Sequence, residues 1–194
     1  KWAINNNIHP DVIGYLSFSK GDLFDFDAKS SSQSFATPRS WTFVSEILSV
    51  DSFDSAGAFE QKAEIAGAIG EGMAIKFVEH RKIASKLPNP DQILNGDVKS
   101  LDSNLSKEIS AKYSLVVGLA YELNDIFKDN GIDDKFRKGL NNTVRFAYDN
   151  FEPEMVVFLF KTIMKDYQIR FNVRTDLDKD LHKTFSDRYT KYIA

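Results

Sequence analysis

Apolar residues recur three and four positions apart along almost the whole chain, and no stretch of strand length alternates cleanly between apolar and polar residues. Such spacing places apolar side chains on one face of a helix, so it predicts an all-α fold with no sizeable sheet. The chain has 194 residues, of which 42% are hydrophobic, and it can therefore bury a core in one large domain or in two small ones.

Proline and glycine residues divide the predicted helices. The double-proline segment Leu87-Pro88-Asn89-Pro90 is the strongest predicted boundary, because residues before proline avoid helical geometry. We therefore expect a helical region over 1–87, a connecting segment over 88–103 and a C-terminal helical domain over 104–194. The predicted helices are a short one opening at His9-Pro10, then 38–49, 54–70, one around 73–78, 104–128, 133–150, 153–167 and one from 176 onward. A polar loop over 19–36 separates the first two, with Phe24 and Phe26 expected to point inward.

The composition of the chain excludes several kinds of site and makes others improbable. The chain has no cysteine, which excludes disulfides and thiolate metal sites. Its three histidines are scattered and form no H-E-x-x-H motif, so we predict no metal site; His9, just before Pro10, is typical of a capping or surface residue. A net charge of −3 gives no overall attraction to nucleic acid. The sequence has neither a signal-peptide pattern nor an apolar run of about 18 residues, so we expect a cytoplasmic protein that does not enter a membrane.

The segment Thr37-Pro38-Arg39 carries the main candidate site. Thr37 is a good N-cap residue and Pro38 suits the first helical position, so a helix start is predicted here. Arg39 then falls in the first turn, where the helix dipole is already positive and an acidic residue is normally favoured. Arg39 therefore needs an anion. A phosphate held by backbone N–H groups and the guanidinium is one possibility, and an internal carboxylate from Asp22, Asp25 or Asp27 is the other.

Two further motifs favour ordinary structural roles. Gly67-Ala68-Ile69-Gly70-Glu71-Gly72 lacks the lysine of a phosphate-binding loop and lies between helical patterns, so we interpret it as a helix-to-helix turn. Basic and aromatic residues alternate near the C-terminus, which is one way to bind nucleic acid, but aspartates dilute the charge and an amphipathic helix is favoured. The residues concerned are Lys161, Lys165, Arg170, Arg174, Lys179, Lys183, Arg188 and Lys191, with Tyr167, Phe171, Phe185, Tyr189 and Tyr192 between them.

Four segments, taken in order, resemble a known family. They are Ile8-His9-Pro10-Asp11-Val12 with Tyr15-Leu16, Phe35-Ala36-Thr37-Pro38-Arg39-Ser40-Trp41, Ile69-Gly70-Glu71-Gly72 with Ala74 and Phe77, and Leu87-Pro88-Asn89-Pro90-Asp91 with Ile93-Leu94. In this spacing they are similar to the C-terminal half of MoxR-like AAA+ ATPases of bacteria and phages. The resemblance covers residues 1–95 well and the rest of the chain only in its helical character.

The resemblance implies that 1–87 is the helical lid of an AAA+ ATPase and that Arg39 is its sensor-2 arginine. Arg39 would be the catalytic contact to the γ-phosphate, and Thr37, Pro38 and Arg39 together would form the cofactor-facing segment. ATP with Mg²⁺ would be bound by a preceding domain, so no cofactor is expected on this chain by itself. The opening Lys1-Trp2-Ala3, which resembles the tail of a helix, agrees with a piece of a longer protein.

The resemblance also implies partners: the preceding ATP-binding domain, neighbouring subunits of a ring that is usually a hexamer, and a remodelled protein, often one with a von Willebrand factor A-type domain. Two alternatives remain open on the residues. One is a non-enzymatic helical module that binds a protein and pairs Arg39 internally. The other is a nucleic-acid binder that works through the basic C-terminal helix.

Overall fold

The computed structural model describes residues 2–26 and 33–193. Helices make up most of this part of the chain, and its β-structure is a single bridge between Asp25 and Ala36. The predicted all-α fold is therefore confirmed. The chain divides into two compact units, an N-terminal unit over Trp2–Ser85 and a C-terminal unit from Lys86 on. None of the helices described has both the length and the apolarity needed to cross a membrane.

The N-terminal unit is built from short and medium helices. They are α1 (Trp2–Asn5), α2 (Pro10–Phe18), a 3₁₀ turn (Lys20–Leu23), α3 (Pro38–Leu48), α4 (Ala58–Ile69) and α5 (Glu71–Ala84). Gly70 joins α4 to α5 with a φ of 83°, which favours glycine, so the predicted helix-to-helix turn is confirmed. The helix predicted from 54 begins four residues later, at Ala58. Phe53 is buried in a turn, and the Gln61 side chain donates to its carbonyl at 2.9 Å, so this turn is held out of the helix.

An aromatic cluster centres the core of this unit. The ring of Tyr15 lies 5.5 Å from Trp41 and 5.4 Å from Phe77, and the Trp41 and Phe77 rings are 5.3 Å apart. The prediction that Phe24 and Phe26 point inward is wrong, since they are 62% and 53% exposed. Tyr15, Trp41 and Phe77 already fill the core, and Phe26 instead packs on Phe35 with ring centres 4.7 Å apart.

The C-terminal unit contains the longer helices. They are α6 (Pro90–Asn95), a 3₁₀ turn (Leu105–Lys107), α7 (Ile109–Asn130), α8 (Asp134–Asn150), α9 (Pro153–Lys161), a π-helical turn (Thr162–Asp166), α10 (Val173–Asp176), α11 (Lys179–Arg188) and α12 (Thr190–Ile193). The helix predicted from 104 begins at Ile109, after the 3₁₀ turn. The helix predicted from 176 does not start there, because Asp176 ends α10 and α11 starts only at Lys179. The buried Asp176 carboxylate accepts hydrogen bonds from Arg137 at 3.0 Å and from the Asn172 N–H at 2.6 Å.

Residues 88–103, predicted to be a connecting segment, also contribute a helix to the core of the C-terminal unit. Helix α6 packs against α7 and α8, and its Ile93 and Leu94 are 0% and 3% exposed in the core of the C-terminal unit. The units divide between Ser85 and Lys86, so the segment expected to be a connection belongs to the second unit. The Asn142 side-chain amide of α8 donates a hydrogen bond to the Leu94 carbonyl at 2.9 Å. This bond fixes the end of α6 on α8.

Candidate functional site

Thr37 and Ser40 fix the start of α3. The Thr37 side chain accepts the Ser40 N–H at 3.0 Å, and the Ser40 hydroxyl accepts the Thr37 N–H at 2.8 Å. This reciprocal pair is a capping box, and Pro38 occupies the first turn as predicted. The predicted cap at Thr37 is confirmed. Its partner was not predicted, because a capping box more often has glutamate or glutamine in the place of Ser40.

The cap changes which groups an anion can reach. Pro38 has no N–H, the Ser40 N–H is taken by Thr37, and the Trp41 N–H donates to the Thr37 carbonyl at 3.0 Å. Within the described residues this leaves one first-turn N–H, that of Arg39, for an external anion. The cradle of several N–H groups expected from the sequence is therefore reduced to one, and the guanidinium supplies the remaining donors.

The Arg39 side chain is exposed on the outer face of α3. Its guanidinium carbon lies 6.0 Å from the centre of the Phe43 ring, one turn further along, and Phe43 is itself 45% exposed. A cation–π contact at such an exposed site contributes only about 0.5–1 kcal/mol, so Phe43 orients the guanidinium without neutralising it.

Of the three carboxylates predicted as internal partners of Arg39, Asp22 is engaged elsewhere. Asp22 accepts the Tyr15 hydroxyl proton and lies 3.4 Å from the Lys76 ammonium, and its backbone carbonyl accepts the Trp41 indole N–H at 2.9 Å. Asp25 is exposed, and its N–H donates to the Ala36 carbonyl at 3.0 Å. No carboxylate in 2–26 or 33–193 forms an ion pair with Arg39. Asp27, the third predicted partner, lies outside the described residues.

Asp22 is thus a partly buried residue with a structural role. Burial and the hydrogen bond to Asp22 raise the pKa of Tyr15 above the ordinary tyrosine value, so its hydroxyl stays protonated and serves as a donor. Tyr15 is 3% exposed, and only the Asp22 carboxylate and the Met73 sulfur, at 3.7 Å, accept from it among the described residues. Asp22 therefore ties the 3₁₀ turn to α2 and, through Trp41, to α3.

We expect Asp22→Ala to lower the free energy of unfolding of the N-terminal unit by about 1–3 kcal/mol, because the buried Tyr15 hydroxyl loses its strong acceptor. Urea unfolding followed by tryptophan fluorescence measures this, since both tryptophans of the chain, Trp2 and Trp41, lie in this unit. The matched control is Asp25→Ala, which removes an exposed carboxylate and should change stability by less than about 0.5 kcal/mol. Equal effects of the two substitutions would contradict the assigned role of Asp22.

Sequence reasoning missed the ion pairs that join different helices, among them Arg81–Asp11 and Lys112–Glu152. Arg81 on α5 binds the Asp11 carboxylate at 2.7 Å, across 70 positions of sequence, and no local pattern signals such a contact. Lys112 on α7 is 2% exposed and binds Glu152 at 2.6 Å, and this hydrogen bond lowers the pKa of Glu152. A lysine on the apolar stripe of α7 was the available signal.

Three of the five aromatic rings in the C-terminal basic segment are buried, whereas Tyr192 is 51% exposed. Phe171, Phe185 and Tyr189 are 5%, 8% and 4% exposed and belong to the core of the C-terminal unit, with Phe185 packed 4.8 Å from the Phe160 ring. Base stacking requires accessible ring faces. The amphipathic interpretation of this segment is therefore supported, and the nucleic-acid alternative loses these three rings.

No described cluster of histidine and acidic residues is arranged to hold a metal ion. Comparisons with protein-family models, with curated proteins and with solved structures find no match to this chain.

Proposed function

We propose that the N-terminal unit is the lid of an AAA+ ATPase of the MoxR-like type, and that Arg39 contacts the γ-phosphate of ATP held by a preceding nucleotide-binding domain. One observation carries this proposal: Arg39 is exposed in the first turn of a helix, and no described carboxylate pairs with it. A cation in that position is unfavourable unless an anion approaches it.

Rigid support for Arg39 favours this role. The capping box fixes the backbone at Thr37 and Ser40, and the buried Trp41 anchors the next position through its hydrogen bond to the Asp22 carbonyl. Because binding groups act best on elements that do not rearrange, a guanidinium at this place is already positioned for its ligand. Thr37 and Pro38 then act as positioning residues, since the side chain and N–H of Thr37 are used by the cap.

The described donors fit a terminal phosphate and not a whole nucleotide. The Arg39 guanidinium and N–H offer donors for phosphate oxygens, whereas the rest of the ATP–Mg²⁺ complex would be held by the preceding domain. As the phosphoryl group transfers, Arg39 would stabilise the negative charge that develops on its oxygens. Loss of that group on hydrolysis would remove the ligand of Arg39 and free the lid to move.

Lid movement would then drive the remodelling of a protein partner in the cytoplasm. In this proposal the preceding domain and the neighbouring subunits of a ring are the structural partners, and a protein with a von Willebrand factor A-type domain is the expected target. The chain by itself is not expected to hydrolyse ATP.

The sequence that precedes this chain in its gene tests the proposal. We expect a G-x-x-x-x-G-K-[ST] motif after a strand, within about 200 residues upstream, which is a typical domain length. Absence of such a motif would overturn the proposal. The non-enzymatic interaction module would then be the better candidate, supported by the exposed aromatic side chains Phe24, Phe26, Phe35 and Phe43.

A further inference from the structure

His9 caps helix α2 through its ring. Its Nδ1 accepts the Asp11 N–H at 3.2 Å, as the position before Pro10 suggested. An atom that accepts a hydrogen bond from an N–H carries no proton of its own, so the ring is neutral and its proton lies on Nε2. The cap therefore depends on the protonation state of His9.

His9 also joins α2 to its neighbours. Its backbone N–H donates to the Ser45 hydroxyl of α3 at 2.8 Å. The Asp11 carboxylate next to it binds the Arg81 Nε of α5 at 2.7 Å, and Arg81 binds Asp54, in the segment between α3 and α4, at 3.2 Å. The first turn of α2 is thus bound to α3 through His9 and to α5 through Asp11.

Charged groups from three elements face His9. Burial is the main cause that lowers the pKa of His9, and Arg81 lowers it further, whereas Asp11 and Asp54 oppose the shift. Burial also lowers the pKa of His80, a buried residue of α5 near Asp11. Both rings are therefore neutral at pH 7, and both gain charge only in more acidic solution than an exposed histidine does.

We propose that His9 is an acid-sensitive latch of the N-terminal unit. Protonation of Nδ1 removes the acceptor of the Asp11 N–H and so breaks the cap of α2. The charged ring then attracts the Asp11 carboxylate, whose Oδ2 lies 3.9 Å from Nδ1, and competes for it with Arg81. Acidification thereby loosens the first turn of α2 from α5.

The direction of the effect follows from the proton balance. A histidine whose pKa is lower in the folded state than in the unfolded state binds fewer protons when folded. Its contribution to stability is complete above the unfolded-state pKa and is lost as the pH falls through that value toward the folded-state pKa. The window is therefore mildly acidic, below neutrality.

His9→Asn tests the latch, because asparagine is a strong N-cap residue that does not titrate. Urea midpoints of the N-terminal unit, from tryptophan fluorescence, are compared at about pH 7.5 and about pH 5, on either side of the ordinary histidine pKa. The midpoint of the unchanged chain should fall by clearly more than that of His9→Asn, and His182→Asn in the C-terminal unit should behave as the unchanged chain does. Equal falls for the unchanged chain and His9→Asn would overturn the proposal.

A second measurement needs no substitution. Nitrogen NMR of the ring in the unchanged chain should show Nδ1 unprotonated at neutral pH, and exchange of the Asp11 amide hydrogen should become less protected as His9 titrates. A proton on Nδ1 at neutral pH would overturn the proposal, as would Asp11 protection that does not follow the titration.

Discussion

Under the lid proposal, ATP hydrolysis by the intact protein should fall about 100-fold when Arg39 is replaced by alanine, the loss typical of removing one preorganised donor to a developing negative charge. The guanidinium is the main group at the start of α3 that is left to meet a phosphate, since the cap uses the Ser40 and Thr37 N–H groups. Arg39→Lys keeps the charge but loses the planar fork of donors, so we expect an intermediate rate. Steady-state hydrolysis at saturating ATP and Mg²⁺ measures all three proteins.

The same substitution should leave the fold intact. Arg39 is exposed and its described contact is the ring of Phe43, so Arg39→Ala should change the free energy of unfolding of this chain by less than about 0.5 kcal/mol. A loss of stability well above that value would indicate an internal ion pair, as the non-enzymatic alternative requires. Near-normal hydrolysis by the intact variant would contradict the lid proposal.

Phe77→Ala should cause the largest loss of stability, about 3–5 kcal/mol, because it removes a large ring from a filled core. Phe77 is 0% exposed and contacts both Tyr15 and Trp41 edge-on. Urea unfolding followed by tryptophan fluorescence measures the loss, with circular dichroism as a check that the helices persist.

The matched control is Ile75→Ala on the same helix. Ile75 is 44% exposed, so its truncation should cost less than about 1 kcal/mol. If Phe77→Ala and Ile75→Ala were equally mild, the aromatic cluster would not be the core of the N-terminal unit.

Local signals predicted the helix starts that are marked by proline. Pro10, Pro38 and Pro153 each open a helix in the structure, and Thr37 caps α3 as its side chain suggests. These features depend on the residue itself and its nearest neighbours, so they are readable in one sequence. The turn at Gly70 belongs to the same class, because its positive φ is a local requirement.

Contacts between different structural elements account for the features that the sequence could not predict. Asp22 was an expected partner of Arg39, but its carboxylate instead accepts a hydrogen bond from the Tyr15 hydroxyl. The outward orientation of Phe24 follows from a core already filled by other rings, and no pattern within the loop indicates this. Residues 88–103 look like a connection because of their prolines, although Ile93 becomes buried once α7 and α8 are in place. Each outcome depends on contacts between different structural elements, which helical periodicity does not encode.

Nucleotide affinity of the intact Arg39→Ala variant tests the central proposal most directly, because ADP lacks the phosphate that Arg39 is proposed to contact. We predict that the substitution weakens binding of a non-hydrolysable ATP analogue by about tenfold or more, the effect of one charge-assisted hydrogen bond, and changes ADP binding by less than about twofold. Equal changes for the two nucleotides, or no change for either, would contradict a role for Arg39 at the γ-phosphate.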